Sequence, residues 1–426
     1  MLPVRKAERF ANSRGRVVVV LEQRFERTPD GRVWGPGTFG PAFWSRYLIV
    51  FATVTVVARL KHVATPSDGY HRCDSDVVDF APVPDYLGPW EFLKNRRAVR
   101  RAAIAAYDPS CSVILRIPSP IGSCLVSHLH RIHQPYAVEV IGDPYDVMSP
   151  AAFRHPLRPI FRWWLTRRQR SECRAASAAA YVTERTLQGR YPCHGFSVGV
   201  SDVALALVPP RTTTVFTTHY SSVALSGCVA APRALDPLPL ARPVLISVAT
   251  LSQMYKGIDV LIDAIHRCVS NGLDVHAIVA GDGKYRGDLQ ARAERRGVSD
   301  RVRFAGQLSR YELTDSLDAA DVFVLASRCE GLPRAMIEAM ARGLPCIGSE
   351  VGGIPELLSA EDMVPPGSSE RLAATITEVV RDGWRRAQMS RRNLEKAQEY
   401  RDETLGLRRT AFYRQVRSVT EEWAAS

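Results

Sequence analysis

This sequence of 426 residues has no long hydrophobic run. A helix that crosses a bilayer needs about 18–20 consecutive apolar residues, and the longest candidate, residues 47–58, is shorter than that and includes two threonines. The first ten residues also lack the apolar core of a secretory signal. We therefore expect a cytoplasmic protein without a membrane-spanning segment.

Cysteine pairs at the spacing of metal or redox sites are also missing. The nine cysteines are scattered, and none forms a C-x-x-C pair. An odd, scattered set argues against a disulfide framework and against a structural zinc site. No His/Asp cluster indicates another metal, so we predict no metal and no cofactor, and we interpret Cys329 as a small reduced residue.

Acidic residues are outnumbered. The chain has 44 Asp and Glu against 56 Lys and Arg, and its net charge is +12. Such a balance favours phosphorylated substrates, anionic lipid or nucleic acid as partners, but no nucleic-acid-binding motif accompanies the charge. We therefore predict no nucleic acid partner.

Composition and length indicate two globular domains. A hydrophobic content of 46% with 23% charged residues is ordinary for a folded protein, and one core rarely serves so long a chain. Short apolar runs alternate with helical segments, which predicts an α/β fold with doubly wound parallel sheets that bind ligands at the carboxyl ends of their strands. The predicted strands are 16–21, 54–58, 77–80, 113–117, 136–141, 243–249, 275–280, 302–305, 321–326 and 345–348.

Two carboxylates, Glu330 and Glu338, follow the predicted strand 321–326. Good helix formers over 335–342 and Gly343 as a stop signal place Glu330 in a loop and Glu338 inside a helix. The turn between them would direct backbone N–H groups and the positive end of the helix dipole at the crevice, which predicts an anion site. Its residues are Gly331, Leu332, Pro333 and Arg334.

The spacing alone is weak, because two solvated glutamates on a βαβ unit would look the same. The flanking glycine and proline, and Val-Gly-Gly-Ile-Pro-Glu at 351–356, favour a functional interpretation. Together they resemble the donor-binding Glu-x7-Glu signature of family-4 glycosyltransferases. The resemblance implies a GT-B fold, in which two Rossmann-like domains face a cleft, and a retaining, metal-free mechanism. It also implies that Glu330 contacts the donor sugar and Glu338 the ribose of a nucleoside diphosphate sugar.

Other donor-side segments match the family in part. Lys256 precedes Gly257 at the family's phosphate-binding lysine, although a Lys-Gly pair is also an ordinary helix entry. The resemblance implies that Gly281 faces the cleft, where Asp-Gly is otherwise a turn, and that Gln307 lies near the base. Thr250 departs from the pattern, since the family usually has an arginine there, and Arg334 is a candidate for the missing charge.

The N-terminal half matches only in organisation. Gly35, Gly37 and Gly40 are predicted to form an acceptor-side loop, or merely to turn the chain. Asp143 follows strand 136–141, where many family members have a histidine. It can act on an acceptor hydroxyl or cap the turn, and both interpretations stay open.

Residues 154–174 interleave arginines with large apolar side chains. This composition is typical of a helix that lies on an anionic membrane surface. A helix packed in the core with solvated arginines is the alternative. The predicted docking residues are Arg158, Arg162, Trp163, Trp164 and Arg167.

We predict an N-terminal acceptor-side domain, 1–235, joined by a returning helix at about 401–426, and a donor domain, 236–400, after a linker within 203–242. The predicted activity is retaining transfer of a hexose from a UDP- or GDP-sugar to a hydroxyl. The acceptor would be a lipid-linked oligosaccharide in exopolysaccharide or capsule assembly at the inner face of the cell membrane. A nucleotide-sugar epimerase and a non-catalytic donor-binding partner of another transferase are the alternatives.

Overall fold

The computed structural model describes residues 15–150, 155–199 and 239–426, and most of the predicted linker lies outside these ranges. Two separate sheets define two domains. Among the described residues, no helix combines the length and the hydropathy needed to cross a bilayer.

The N-terminal domain is built on a sheet with a parallel core. Its strand order is β5-β3-β1-β6-β7-β8-β9, and β2 and β4 add an antiparallel flap at the end of β1. The central strand β6 is buried at every residue, as expected for a strand with helices on both faces. The strands are β1 (Arg16–Arg27), β2 (Val33–Pro36), β3 (Thr53–His62), β4 (Tyr70–Arg72), β5 (Val78–Val83), β6 (Ser112–Ile117), β7 (Ala137–Val140), β8 (Ala178–Tyr181) and β9 (Phe196–Gly199).

Helices cover both faces of this sheet. One apolar cluster joins it to α2, α3 and α5, and another joins its opposite face to α1. The helices are α1 (Pro41–Leu48), α2 (Gly88–Ala105), α3 (Pro120–Arg131), α4 (Pro144–Val147), α5 (Arg158–Ala175) and α6 (Thr186–Arg190).

The C-terminal domain has a six-stranded parallel sheet in the order β12-β11-β10-β13-β14-β15. Two apolar clusters again lie on its two faces. Its elements are β10 (Val244–Val248), α7 (Ile258–Ser270), β11 (His276–Ala280), α8 (Arg286–Arg295), β12 (Val302–Gly306), α9 (Arg310–Ala319), β13 (Val322–Leu325), α10 (Arg334–Ala341), β14 (Cys346–Ser349), β15 (Met363–Val364), α11 (Ser369–Arg381) and α12 (Gly383–Gln398).

The last helix, α13 (Asp402–Ala425), packs on the N-terminal domain against α1, β8 and β9. The Tyr413 hydroxyl donates to Glu139 Oε1 at 3.0 Å, and Tyr47 donates to the same carboxylate at 2.9 Å. Glu139 also forms an ion pair with Arg116. A buried carboxylate needs such partners, so this network fixes the end of the chain to the centre of the N-terminal sheet.

The predicted fold class is confirmed, with one difference in the first βα unit. The first strand was predicted to end at residue 21, but β1 continues to Arg27 after a register shift. The polar residues after Leu21 still pair because β3 is equally long and runs beside them. The segment predicted as a loop is therefore largely sheet.

Candidate active site in the cleft between the domains

The donor loop, residues 326–333, begins at the carboxyl end of β13. All four residues of this short strand are buried. The loop ends at Pro333, whose extended backbone precedes the first residue of α10. Glu330 therefore lies in the loop, and Glu338 lies one turn inside the helix.

Glu330 is held by two donors. Lys256 Nζ lies 2.8 Å from Glu330 Oε1, and the Ser327 hydroxyl donates to the same oxygen at 2.6 Å. Only 7% of the Glu330 side chain is exposed. A carboxylate buried to this extent is stabilised by its cation, so the pair forms one charged unit at the mouth of the loop.

Lys256 reaches Glu330 because two loops approach each other at Gly257. This glycine has φ of 72°, and a Cβ there would lie 1.9 Å from the Ala326 carbonyl oxygen. Only glycine fits such a close approach with a left-handed backbone. Arg328 fastens the same two loops through a bidentate ion pair with Asp259 at 2.7 and 2.8 Å.

Glu338 lies in a cluster of charges on the donor side. Burial raises the pKa of its carboxyl to about 6, although the guanidinium groups of Arg334 and Arg310 lower it. Arg310 is the first residue of α9 and Arg334 the first of α10. Sequence reasoning missed Arg310, because no local pattern shows that α9 begins beside α10.

The remaining donor-side residues lie on neighbouring loops. Gly281 has φ of 135°, and a Cβ there would lie 1.9 Å from the Ala249 carbonyl oxygen. The Gly281 N–H donates to the Gly306 carbonyl at 2.7 Å, which places the exposed Gln307 beside the same group of loops. Thr250 is exposed, and its hydroxyl accepts from the Ser252 N–H at 3.3 Å. These loops carry no arginine at the position where the family has one.

Asp143 caps a helix on the acceptor side. Its Oδ1 accepts the Tyr145 N–H at 2.9 Å and the Tyr191 hydroxyl at 2.5 Å. Arg190 forms an ion pair with Asp143 and a second one, at 3.1 Å, with Asp146. Asp143 is only 5% exposed, so the capping interpretation describes its present contacts, while its predicted action on an acceptor remains a prediction.

The acceptor-side loop and the donor loop meet at Cys329. Burial, together with the carboxylates of Asp146, Glu330 and Asp143, raises the pKa of its thiol to about 12. Charges perturb a pKa only from nearby, so carboxylates of both domains surround this cysteine. A Cβ at Gly331 would also lie 4.0 Å from the Ile141 carbonyl oxygen, which puts the two loops in van der Waals contact.

The three N-terminal glycines do not form one open loop. Gly35 lies in β2, and a Cβ there would be 2.5 Å from the Phe25 ring, so packing requires glycine at this position. Gly37 begins a single 3-10 turn, and Gly40 precedes α1. Their predicted place in an acceptor-side loop therefore needs correction for Gly35, which the extension of β1 draws into the sheet.

Helix α5 presents an apolar and basic face to solvent. Ile160, Trp163 and Trp164 are 60%, 62% and 49% exposed. At intervals of three and four residues, the same face continues with arginines. The opposite face buries Thr166, Gln169, Glu172 and Cys173. The arginines of the outward face are Arg167, Arg170 and Arg174.

Two of the predicted docking arginines turn toward the domain. Arg162 Nε donates to the Tyr145 carbonyl at 2.9 Å, and its guanidinium lies 3.4 Å from the centre of the Tyr145 ring. Arg158 donates to the Met148 carbonyl at 3.4 Å. Both side chains therefore join α5 to the end of the acceptor-side loop.

Comparison with known proteins agrees with this geometry. Residues 234–396 match the family model described as group 1 glycosyl transferases. Protein CapJ of Staphylococcus aureus is 24% identical over 80% of this chain and 81% of its own length. A putative colanic acid biosynthesis glycosyltransferase, WcaL of Salmonella typhimurium, is 34% identical, but the match covers 32% of this chain and 36% of that protein.

Solved structures with the same fold cover nearly the whole chain. Sucrose-phosphate synthase from Thermosynechococcus elongatus has a TM-score of 0.66 at 17% identity and covers 95% of this chain and 100% of its own. Anabaena HepE in complex with UDP-glucose has a TM-score of 0.59 at 17% identity, with 93% and 98% covered. These likenesses show the GT-B fold. The chain therefore belongs to the group 1 glycosyltransferases, and its conserved-family segment is the domain that carries Glu330, Lys256 and Glu338.

Proposed function

We propose that this glycosyltransferase moves a hexose from a UDP- or GDP-sugar to an acceptor hydroxyl with retention of anomeric configuration. The convergence of Lys256 and Ser327 on Glu330, at 2.8 and 2.6 Å, carries the proposal. It places a cation and a carboxylate beside the first turn of α10. The Anabaena HepE neighbour was solved with UDP-glucose, which supports the same donor class here.

Each group has a distinct role in the proposed reaction. Glu330 accepts hydrogen bonds from sugar hydroxyls and stabilises positive charge that develops at the sugar ring. Lys256 and the N–H groups at the start of α10 neutralise the leaving diphosphate. Glu338 accepts from the ribose hydroxyls. In this proposal the protein's own cation and helix dipole neutralise the leaving group, and no metal or cofactor is assigned.

Arg334 is proposed to supply the phosphate charge that Thr250 does not. Arg334→Ala should weaken binding of UDP or GDP by about tenfold or more, since a hydrogen bond to a charged group contributes roughly 1.5–3 kcal/mol. Isothermal titration calorimetry measures the change. Arg391→Ala, which removes an arginine that is 82% exposed on α12, is the matched control, and equal dissociation constants for the two variants would refute the role.

Nucleotide binding should depend on the protonation of Glu338. With a pKa near 6, this carboxyl is ionised above pH 6 and protonated below it, and protonation removes acceptor capacity from the ribose contact. The affinity for UDP or GDP should fall by up to about tenfold per pH unit below 6. The nucleotide's terminal phosphate also titrates near pH 6, so the comparison is with Glu338→Gln, whose pH dependence should be weaker by that one proton.

The acceptor is proposed to be a lipid-linked oligosaccharide, as in polysaccharide assembly at the inner face of the cell membrane. The outward face of α5 supports this. Its exposed tryptophans can enter the interface, and Arg167, Arg170 and Arg174 can contact anionic headgroups. WcaL is named for colanic acid biosynthesis, which supports the same class of product.

The decisive experiment incubates the purified chain with UDP- and GDP-sugars, with and without membrane lipid extract. Release of UDP or GDP that depends on the extract, with sugar appearing in the lipid fraction, is the expected result. Isomerised sugar nucleotide would indicate an epimerase, and binding without turnover would indicate a donor-binding partner; either outcome would overturn the proposal.

A further inference from the structure

A carboxylate of the donor domain holds the first turn of a helix in the acceptor domain. Glu356 Oε2 accepts the Glu184 N–H at 2.6 Å. Its Oε1 accepts the N–H groups of Arg185 and Thr186 at 3.1 and 2.6 Å and the Thr186 hydroxyl at 2.6 Å. Burial alone would raise the pKa of Glu356, but these hydrogen bonds lower it below its ordinary value, so the group is an anion at neutral pH.

Glu356 is fixed to the donor loop by the two glycines that precede it. Gly352 has φ of 54°, and a Cβ there would lie 1.9 Å from the Glu330 carbonyl oxygen. The Gly353 N–H donates to the Gly331 carbonyl at 2.6 Å. The turn that bears Glu356 therefore moves with the loop that bears Glu330.

The other end of the same helix is attached to the acceptor-side loop. Helix α6 has five residues, so it is about 7.5 Å long. Its last residue, Arg190, forms the ion pairs with Asp143 and Asp146, and Asp143 in turn caps α4. One short helix thus has the donor domain at its first turn and the acceptor-side loop at its last residue.

We infer that Glu356 and Arg190 are positioning residues that set, through α6, where the acceptor-side loop stands relative to the donor loop. This inference rests on the proposed transfer between the two domains. Neither residue needs to touch the donor, because Glu356 contacts α6 and the backbone of the donor loop lies between it and Glu330. Their loss should lower kcat while leaving nucleotide affinity nearly unchanged.

The first test compares Glu356→Gln with Glu350→Gln by hydrogen exchange. Glutamine has one carbonyl oxygen in place of two carboxylate oxygens, and its NH2 group would face N–H donors. Glu350 is an exposed glutamate in the same segment and serves as the matched control. In Glu356→Gln, exchange at the amides of 184–186 should rise by about tenfold or more. Exchange at Tyr145, whose N–H is bonded to Asp143, should rise as well.

Tyr145 is the decisive reporter, because it lies at the far end of the connection. A rise at 184–186 with unchanged exchange at Tyr145 would overturn the coupling, as would no rise at either place. Thr186→Val, which removes one of the four contacts, should give the same pattern with a smaller change. It tests the inference if Glu356→Gln does not fold.

The second test is a double-variant cycle on transfer. Glu356→Gln and Arg190→Gln should each lower kcat by at least about tenfold, with dissociation constants for UDP or GDP within about twofold of wild type. The double variant should lose little more than either single one, because both act through α6. Additive losses would overturn the inference. A wild-type chain that transfers no sugar would refute the proposed function, and the exchange measurements would still decide the connection.

Discussion

Replacing Glu330 with glutamine should lower the kcat of sugar transfer by about 10²–10³-fold. Preorganised charge at the reacting centre typically contributes this much, and glutamine keeps the size of the side chain while removing the charge. Lys256 would then lack its carboxylate 2.8 Å away. Steady-state release of UDP or GDP in the presence of lipid extract measures the loss, and the dissociation constant of the free nucleotide should change much less than kcat.

The control for Glu330→Gln is Glu350→Gln, the same chemical change at an exposed residue of the same domain. It should retain wild-type kcat. Full activity of Glu330→Gln would remove this residue from the catalytic assignment. A loss of nucleotide affinity as large as the loss of kcat would assign it to donor binding alone.

Membrane association should depend on the outward face of α5. Moving a large apolar side chain out of water contributes roughly 1.5–3 kcal/mol, so the double change Trp163→Ser and Trp164→Ser should weaken vesicle binding by about 100-fold or more. Each arginine near an anionic surface contributes roughly 1 kcal/mol. Changing Arg167, Arg170 and Arg174 to glutamine should therefore cost about 100-fold on anionic vesicles and little on neutral ones.

Co-sedimentation with vesicles of phosphatidylcholine alone, or with added phosphatidylglycerol, measures both effects. The matched control is Trp384→Ser, because Trp384 is 76% exposed on the other domain, and its loss should not matter. Equal binding to both vesicle types by the wild-type chain, unaffected by the arginine changes, would refute the docking surface.

The largest change in interpretation concerns the acceptor side. Asp143 was considered as a group acting on a hydroxyl or as a turn cap, and the structure surrounds it with Tyr191 and Arg190. A carboxylate held by a cation and a hydroxyl is a weaker base than a free one. The positioning role inferred for Arg190 thus connects Asp143 to the donor loop without requiring it to accept a proton.

Much of the donor side could be predicted from the sequence because its determinants are local. A buried apolar strand, a proline before a helix and a glycine after it place Glu330 in a loop and Glu338 in α10. Lys256 could be predicted only by its resemblance to a family pattern, since its contact with Glu330 joins residues 74 positions apart. The exposure of Trp163 and Trp164 was left open, because aromatic periodicity alone does not say which face of a helix packs.

The sequence by itself determined the two parallel-sheet domains, the anion-binding end of β13 and the basic aromatic helix. Each of these follows from patterns within about thirty residues, where backbone geometry sets which side chains share a face. Only the tertiary structure decided that Arg162 turns inward to Tyr145, that Arg190 pairs with Asp143, and that Glu356 caps α6 across the cleft. Those contacts depend on how separate elements pack, and no local periodicity encodes the packing between them.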